Sequence, residues 1–281
     1  MTVLTKIEEV ENFVYAQKSA GRTIGFVPTM GALHKGHLSL VKKALDECDV
    51  CIVSIFVNPT QFNDPKDLET YPRTFQADAD LLEDVGAHAI FHPEVETIYP
   101  EKDDRIFDVG AVAEVMEGKH RPGHFNGVMQ VVSRLFEIVK PDKAFFGEKD
   151  FQQIAVIKAM VNQMRSSVRI VACPIIREED GLALSSRNVR LSHDLRCKAP
   201  HIHQILQQST SWAHNMKPQQ VKDKVVEELN KINSLEVEYY DIVDGDTLQS
   251  IKEWNESQNI MGCITVYCGE VRLIDNIHYS N

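Results

Sequence analysis

The feature that most constrains the fold is an alternation of strand-like and helix-like patterns through the first 175 or so residues. Short apolar runs that each predict a strand lie at 23–27, 50–57, 87–93, 143–146 and 168–173. Segments with apolar residues at helical spacing lie between them, at 37–48, 75–86, 128–140 and about 150–164. Because this alternation is typical of parallel sheets with crossover helices, the sequence predicts an α/β fold with a Rossmann-like parallel sheet.

The pattern changes after about residue 176, which indicates a second, smaller domain. Residues 192–232 predict two polar helices that are split near Lys217-Pro218. Three runs then look like antiparallel strands, at 235–243, 262–269 and 271–277. We therefore predict a Rossmann-like domain over residues 1–176 and a C-terminal α+β domain over 177–281. The segment 177–188 is polar and is expected to stay out of the core.

The composition argues against several classes of function. The 281 residues include 30 Lys and Arg against 41 Asp and Glu, a net charge of −11. A chain this acidic is not expected to bind nucleic acid or an anionic membrane surface nonspecifically. We see no signal peptide, and the longest apolar stretch, at 50–57, is too short to cross a membrane. A chain without a nucleic-acid or membrane partner is therefore predicted.

Six cysteines raise the question of a metal or redox site. Cys48 and Cys51 form a CxxC pair, but it precedes a predicted strand, whereas a redox CxxC opens a helix after one. Cys263 and Cys268 have a different spacing. Reduced thiols are therefore favoured over a metal or redox role.

The stretch PTMGALHKGH, residues 28–37, lies where a predicted strand turns into a helix. In open parallel sheets, ligands bind at the carboxyl ends of strands, where such turns lie. Gly31 and Gly36 permit a tight backbone and the close approach of a ligand. The following helix would point its N–H groups and partial positive charge at this position, which makes it a candidate phosphate site.

The two glycines have the spacing of a P-loop, but the residues that follow them exclude one. His37 and Leu38 stand where a P-loop has Lys and then Ser or Thr. His34 and His37 share one helical face at i, i+3 and could donate hydrogen bonds to phosphate oxygens. The alternatives are two solvated histidines, or two metal ligands for which no nearby residue completes a set. The H-x-G-H form directly after a strand favours nucleotide binding.

Two polar loops supply further candidate ligand contacts. FVNPTQF (56–62) ends the second predicted strand, and its Asn58 and Gln61 could bind hydroxyls or a carboxylate. An ordinary Asn-Pro turn is the alternative. KHRPGHFNG (119–127) is a local positive patch that includes Arg121, and it suits a phosphate or a carboxylate. A solvated loop is the alternative there.

A second turn from strand to helix occurs in FFGEKDFQQ (145–153). Gly147 makes the turn, and Lys149 supplies a positive charge for phosphate. Asp150 could cap the helix or hold a ribose or a metal. Gln153 follows one turn along on the same face. Capping alone is the alternative.

The polar segment REEDGLALSSRN contains Ser185-Ser186-Arg187 near its end, two hydroxyls and a guanidinium that suit closure over a triphosphate. A plain linker is the alternative. Each of these stretches is ambiguous alone, and their joint occurrence in one chain favours nucleotide chemistry.

In their order along the chain, these stretches resemble the pantothenate synthetase (pantoate–β-alanine ligase) family. The matching segments span nearly the whole chain: VPTMGALHKGHLSLV, FVNPTQF, YPRT, RPGHF, FFGEKDFQQ, REEDGLALSSRN and, later, DGDTLQSI. The HxGH box alone would indicate only the wider nucleotidyltransferase superfamily that includes class I tRNA synthetases. One departure is Leu184, which stands where the family usually has Met, a change that conserves side-chain volume.

The resemblance implies an enzyme that condenses pantoate with β-alanine to pantothenate at the expense of ATP. Pantoate would attack the α-phosphate to give pantoyl adenylate and pyrophosphate, and β-alanine would then displace AMP. The resemblance also implies Mg²⁺ with unknown protein ligands, a cytoplasmic homodimer, and closure of residues 177–281 over the active site. The rivals are an adenylyltransferase of the same superfamily with another acceptor, and a non-catalytic nucleotide-binding regulator.

The same resemblance assigns tasks to residues of this chain. The catalytic residues would be His37, usually marked as the proton donor, with His34, Lys149 and Arg187. ATP would be bound by Met30, Gly31, His34, Gly36, His37, Gly147, Glu148, Lys149, Asp150, Ile176, Leu184, Ser185, Ser186 and Arg187. Pantoate or β-alanine would be bound by Gln61, Gln153, Asn58 and Arg121. Asp78 is a possible metal contact that remains unassigned.

We predict that Cys48→Ser keeps enzymatic activity, because the CxxC thiols are interpreted as having no chemical role. A steady-state assay of the purified variant beside the unmodified chain measures this. Loss of a bound metal, or inactivation, would restore a metal or redox role for the pair.

Overall fold

The chain is described by a computed structural model that covers residues 1–63 and 65–279. It divides into two compact units. The first unit comprises 1–109, 118–148 and 153–174, and the second comprises 110–117, 149–152 and the chain from 175 onwards. Two short stretches that interrupt the first unit in sequence therefore pack with the second. The predicted domain boundary between residues 176 and 177 stays a prediction.

Parallel strands form the sheet of the first unit. They are β1 Thr2–Leu4, β2 Ile24–Thr29, β3 Val50–Ile55, β4 Ala89–Phe91, β5 Lys143–Gly147 and β6 Arg169–Cys173, in the order β1-β4-β3-β2-β5-β6. Every residue of β3 is buried, as expected of a strand that is covered on both faces. The predicted α/β fold with a Rossmann-like parallel sheet is confirmed.

Helices connect these strands. They are α1 Ile7–Ser19, α2 Lys35–Glu47, α3 Pro65–Glu69, α4 Phe75–Val85, α5 Val95–Ile98, α6 Met116–His120, α7 His124–Val139 and α8 Phe151–Gln163. The predicted helices are present with shifted ends, and α4 stops at Gly86, whose φ of 89° is left-handed. Neither β1 nor α1 was predicted, since α1 buries only Val10 and Val14 and so has a weak apolar pattern.

The direction in which the chain crosses the first sheet changes between β2 and β5. Phe26 of β2 pairs with Ile52 of β3 on one side and with Ala144 of β5 on the other. The chain runs from β2 through β3 to β4 on one side, and from β5 to β6 on the other. Open α/β sheets bind ligands at the carboxyl ends of strands at such a switch point. The loops after Thr29 and Gly147 leave the sheet there.

The second unit has an antiparallel sheet and a set of helices. The strands are β7 Leu235–Asp244, β8 Ile260–Cys268 and β9 Val271–Tyr279, in chain order. The helices are α9 His193–Lys198, α10 His201–Trp212 and α11 Pro218–Asn230. The predicted smaller α+β domain is confirmed. The predicted break near Lys217-Pro218 is confirmed, because α11 begins at Pro218. The predicted number of two helices over 192–232 is wrong, because Pro200 has no amide hydrogen with which to continue α9, and a separate helix follows it.

The segment 177–188 contributes to the core of the second unit, contrary to the expectation from its polar composition. Leu182 is 4% exposed and belongs to the hydrophobic core that includes α10, α11 and the strands. Ala183 is also buried. A short apolar run between polar ends is therefore enough to place two side chains in this core.

The two faces of the second sheet have different partners. One face of β9 packs against the helices, through Val271, Leu273 and Tyr279. Alternate side chains of a strand point to opposite sides, so the sheet has a second face. That face contacts Glu117. The Glu117 carboxylate accepts hydrogen bonds at 2.6 to 3.0 Å from Tyr239, Thr265 and Arg272. These contacts attach the stretch 110–117 to the C-terminal strands.

No helix in the described part of the chain combines the length and the apolar character that crossing a bilayer demands.

Candidate active site

Thr29, at the end of β2, begins the loop that carries the H-x-G-H motif. Its hydroxyl donates to the carbonyl of Ser54 at 2.7 Å and accepts from the N–H of Gly31 at 3.2 Å. Gly31 has a φ of 82°. A Cβ at this position would lie 3.0 Å from the carboxylate of Asp78 and 3.1 Å from Ile55. Both the backbone conformation and the lack of space therefore require glycine here.

Asp78, on α4, anchors this loop. It is 1% exposed, and its two carboxylate oxygens accept the N–H groups of Ala32 at 2.9 Å and Leu33 at 2.7 Å. Ala32 has a φ of 49°, and a left-handed conformation costs about 1 kcal/mol for a residue with a Cβ. The two hydrogen bonds offset this cost. The sequence indicated Asp78 only as a possible metal contact, and its role in holding the loop was missed.

The loop places His34 and His37 at the start of α2. His34 is the N-cap, and its Nδ1 accepts from the N–H of Gly36 at 3.1 Å. The N–H of His34 in turn donates to Nδ1 of His37 at 3.4 Å, and the ring centroids lie 4.1 Å apart. When the rings are neutral, acceptance at Nδ1 leaves the proton on Nε2, which makes Nε2 a donor. Two imidazole donors at the positive end of a helix suit an anion such as phosphate.

Asn58 and Gln61 lie after β3, around the short 3₁₀ turn Pro59–Gln61. Asn58 is 1% exposed, and its Nδ2 donates to Oε1 of Gln61 and to the carbonyl of Gly127, each at 3.1 Å. Its Oδ1 accepts from the hydroxyl of Tyr99 at 2.9 Å. These bonds hold Asn58 rigidly, and Asn58 thereby fixes the side chain of Gln61.

Helix α7 approaches this turn closely at Gly127. A Cβ at residue 127 would lie 2.4 Å from the carbonyl oxygen of Thr60 and 3.0 Å from Cα of Gln61, so a larger residue would displace the turn. The side-chain amide of Gln61 also donates to the sulfur of Met30 at 3.2 Å. The first unit therefore brings together Met30, predicted to bind ATP, and Gln61, predicted to bind pantoate.

Arg121 is held beside Gln61 by His124, a residue of the same predicted positive patch to which no role of its own was assigned. Nδ1 of His124 lies 2.8 Å from the carbonyl oxygen of Gln61, which can only accept, so Nδ1 carries a proton. Nε2 of a neutral His124 is then an acceptor, and it lies 3.1 Å from Nη1 of Arg121. Nη2 of Arg121 also donates to the Gln61 carbonyl at 3.4 Å. The guanidinium is thus held by two neighbours.

The turn after β5 passes from one unit to the other. Gly147 and Glu148 end a stretch of the first unit, residues 149–152 pack with the second, and Gln153 belongs to the first again. Lys149 and Asp150 are thus part of the second unit. The carbonyl oxygen of Lys149 accepts a hydrogen bond from Nδ2 of Asn276, on β9, at 3.2 Å.

Residues 176–184 form a small hairpin in the second unit. The N–H of Leu184 donates to the carbonyl of Ile176 at 3.0 Å, and Arg177 and Ala183 form a β-bridge. The hairpin leads directly into a 3₁₀ turn, Ser186–Arg190. Ser185 caps this turn by accepting the N–H of Arg187 at 3.3 Å. The predicted Ser-Ser-Arg segment therefore has a defined conformation.

The cysteines are placed as core residues, apart from the exposed Cys197. All six are free thiols, and burial raises the pKa of Cys51 and of Cys263 to about 12. Burial also raises the pKa of Cys48. Protonated, buried thiols are poor nucleophiles and poor metal ligands. Across residues 1–63 and 65–279, no three His, Cys, Asp or Glu side chains form a group that could hold a metal ion.

Comparison with known proteins gives a consistent family. A family model described as pantoate-beta-alanine ligase matches residues 2–278. A pantothenate synthetase from Porphyromonas gingivalis is 60% identical over 281 residues, which cover all of both chains. A pantothenate synthetase from Bacteroides fragilis is 53% identical over 280 residues, which cover 100% of this chain and 99% of the relative.

Solved structures agree with these sequence matches. The pantothenate synthetase from Thermus thermophilus is similar with a TM-score of 0.94 and 38% identity, over 100% of both chains. The pantoate-beta-alanine ligase from Francisella tularensis, solved with beta-gamma ATP and beta-alanine, is similar with a TM-score of 0.82 and 38% identity. That match covers 99% of this chain and 98% of the other.

We predict that Asp78→Asn lowers the free energy of unfolding by about 1–3 kcal/mol, because the amide would put a donor against one of the two loop N–H groups. Asp80→Asn, at an exposed position of α4, is the matched control, with an expected change within about 0.5 kcal/mol. Urea unfolding of the three chains measures both effects. Equal stability of the two variants would show that the loop does not depend on the Asp78 carboxylate.

Proposed function

Because the chain belongs to the pantoate–β-alanine ligase family, we propose that it forms pantothenate through a pantoyl-adenylate intermediate. The chain is an enzyme, a ligase that condenses pantoate with β-alanine and uses ATP. The observation that most supports the intermediate is the pair His34 and His37 at the N-terminus of α2, which suits charge that develops on a phosphate.

The proposed reaction has two displacements. A carboxylate oxygen of pantoate attacks the α-phosphorus of ATP, and the bond from that phosphorus to the bridging oxygen breaks as pyrophosphate leaves. The amine nitrogen of β-alanine then attacks the acyl carbon, the bond from that carbon to the AMP oxygen breaks, and the nitrogen loses a proton. Neither step needs a nucleophile from the enzyme. Catalysis is then a matter of positioning the reactants and stabilising charge on the phosphates.

The phosphates are the proposed targets of the basic groups. His34 and His37 donate to phosphate oxygens from Nε2, with the N-terminus of α2 adding its partial positive charge. The role of His37 is mainly electrostatic, because a carboxylate nucleophile needs no general base. Lys149 and Arg187 act on the same phosphates. The rest of ATP is bound by Met30, Gly31, Gly36, Gly147, Glu148, Asp150, Ile176, Leu184, Ser185 and Ser186.

Pantoate is the proposed ligand of Gln61 and Gln153, and Gln61 also meets β-alanine. The contact of Gln61 with Met30 supports this assignment, because it places an amide donor beside the predicted ATP segment. Arg121 supplies a positive charge that suits a carboxylate, and its contact with the Gln61 carbonyl supports the same location. Asn58 serves this site by holding Gln61 in place.

Mg²⁺ is proposed to enter as part of the substrate, bound to the phosphates of ATP. The described residues include no group of three side chains of the kind that holds a metal, and both oxygens of Asp78 accept backbone N–H groups. Mg²⁺ commonly keeps several waters and relies on substrate phosphates, so a dedicated protein cage is not required. No step is assigned to a metal that the protein holds.

A cytoplasmic homodimer is likewise proposed, and so is closure of residues 177–281 over the bound nucleotide. The support for both is the resemblance to the family. Closure would shield the acyl adenylate from water, which would otherwise hydrolyse it.

The test of the proposed function is ATP–pyrophosphate exchange by the purified protein with Mg²⁺ and pantoate, without β-alanine. Pantoate-dependent exchange is expected, because the first displacement is reversible before any amine arrives. If exchange is absent and no pantothenate forms when β-alanine is added, the intermediate and the acceptor are both wrong. An adenylyltransferase with another acceptor would then become the leading hypothesis.

We predict that His34→Ala and Lys149→Ala each lower turnover by about 10²-fold or more, as expected for loss of a donor that stabilises the transition state. His34→Asn is the sharper variant, because asparagine can still cap α2 but lacks the imidazole, and it is expected to be as inactive as His34→Ala. Steady-state kcat measures turnover, and circular dichroism checks the fold. Near-normal turnover in either alanine variant would contradict the role assigned to that residue. Near-normal turnover in His34→Asn would show that His34 acts only as a helix cap.

A further inference from the structure

Asp275 and Asn276 are adjacent residues of β9, and each is only 5% exposed. Buried polar side chains need hydrogen-bond partners to offset their loss of hydration. Successive side chains of a strand point to opposite faces, so two adjacent residues can hold two different segments of chain. In the second unit, these segments are the hairpin 176–184 and the stretch 149–152.

Asp275 holds the hairpin through Arg177. The guanidinium donates from Nη1 to Oδ2 at 2.7 Å and from Nη2 to Oδ1 at 2.9 Å, and the two side chains are 19% and 4% exposed. Nη1 also donates to the carbonyl of Gly181, near the tip of the hairpin, at 3.1 Å. An Arg–carboxylate fork fixes orientation as well as distance. The hairpin therefore has a set position on β9, and so does the segment 185–187 that follows it.

Asn276 holds the other segment by donating from Nδ2 to the carbonyl of Lys149 at 3.2 Å. Gln152, which is 5% exposed, holds the same segment three residues further on. Its Oε1 accepts the N–H of Glu117 at 2.9 Å, and its Nε2 donates to two carbonyls of the stretch 110–117 at 2.8 and 2.7 Å. The backbone around Lys149 is thus fixed at both ends of 149–152.

We propose that Asp275 and Asn276 are positioning residues for ATP, which together fix the distance between Lys149 and the segment 185–187. Neither side chain has to touch ATP to do this. The inference rests on the proposed function, in which Lys149 and Arg187 act on the phosphates. A displacement of about 1 Å can cost about 10²-fold in rate, so loss of one anchoring contact lowers the rate of adenylation.

The test for Asn276 is a double-mutant cycle on the full chain, with pantoate-dependent ATP–pyrophosphate exchange as the readout. Asn276→Ala is expected to lower kcat for exchange by about tenfold with little change in KM. In a chain that already carries Lys149→Ala, the same change is expected to cost less than about twofold. Asn230→Ala is the matched control, since it removes a hydrogen bond to the N–H of Val237, 2.9 Å long, elsewhere in the second unit. It is expected to leave exchange unchanged.

The outcomes of this cycle distinguish a failure of the proposed function of Lys149 from a failure of the positioning role of Asn276. If Lys149→Ala exchanges at the normal rate, the proposed function of Lys149 fails. If Lys149→Ala is impaired but Asn276→Ala costs about tenfold in both backgrounds, the proposed function stands and the positioning role of Asn276 is overturned. Full activity of Asn276→Ala would overturn that role as well.

A second cycle tests Asp275 by changing its partner conservatively. Arg177→Lys keeps a positive charge beside the buried carboxylate but loses the two-pronged contact, so the chain is expected to fold. We expect about tenfold slower exchange, and less than about twofold further loss when Arg187→Ala is already present. Equal losses in both backgrounds, or normal exchange in Arg177→Lys alone, would overturn the positioning role of Asp275.

Discussion

The buried carboxylate of Asp78 sets the geometry on which the candidate site depends. Each of its oxygens accepts an N–H group of the loop after β2, and with 1% exposure there is little competition from water. The loop can therefore keep the left-handed residues Gly31 and Ala32 in succession, and it turns sharply into α2. Helix α2 itself packs on the sheet through Leu40, Val41 and Ala44, and Asp78 adds the hydrogen bonds that hold the backbone of the loop leading to the two imidazoles. Such preorganisation lets donors stabilise charge without rearranging during the reaction.

The same arrangement recurs at other segments with a proposed chemical role: a buried polar side chain, itself hydrogen-bonded, holds the backbone or side chain of a neighbour. Asn58 holds Gln61, His124 holds Arg121, and Asn276 holds the backbone of Lys149. Surrounding groups of this kind commonly determine how accurately the residues that touch a ligand are placed. Functional side chains that lie in loops are thereby held in a fixed position.

Strands β2 to β9, helices α2, α4, α7 and α8, and the pair of histidines could be predicted, because hydrophobic periodicity and glycine placement act over a few residues. The short strand β1 and helix α1, whose apolar pattern is weak, could not. Long-range pairs could not be predicted in this way. Asp78 and Ala32 are 46 residues apart, and Glu117 and Arg272 are 155 apart, and a single sequence carries no signal that joins them. The burial of Leu182 was missed for a related reason, because the polar composition of its segment outweighed its own apolar side chain. The roles of the individual site residues stay predictions until they are measured.

The membership of residues 149–152 in the second unit limits how chains of this family can be recombined. A chimera spliced near residue 176 would take the Lys149 turn from one parent and β9 from the other. The sequence around the junction would show no conflict between the parents. Lys149 and Asn276, which are hydrogen-bonded and lie 127 positions apart, would nevertheless come from different parents. Compatibility between parents is therefore decided far from the splice, at contacts that a junction chosen by local alignment would not reveal.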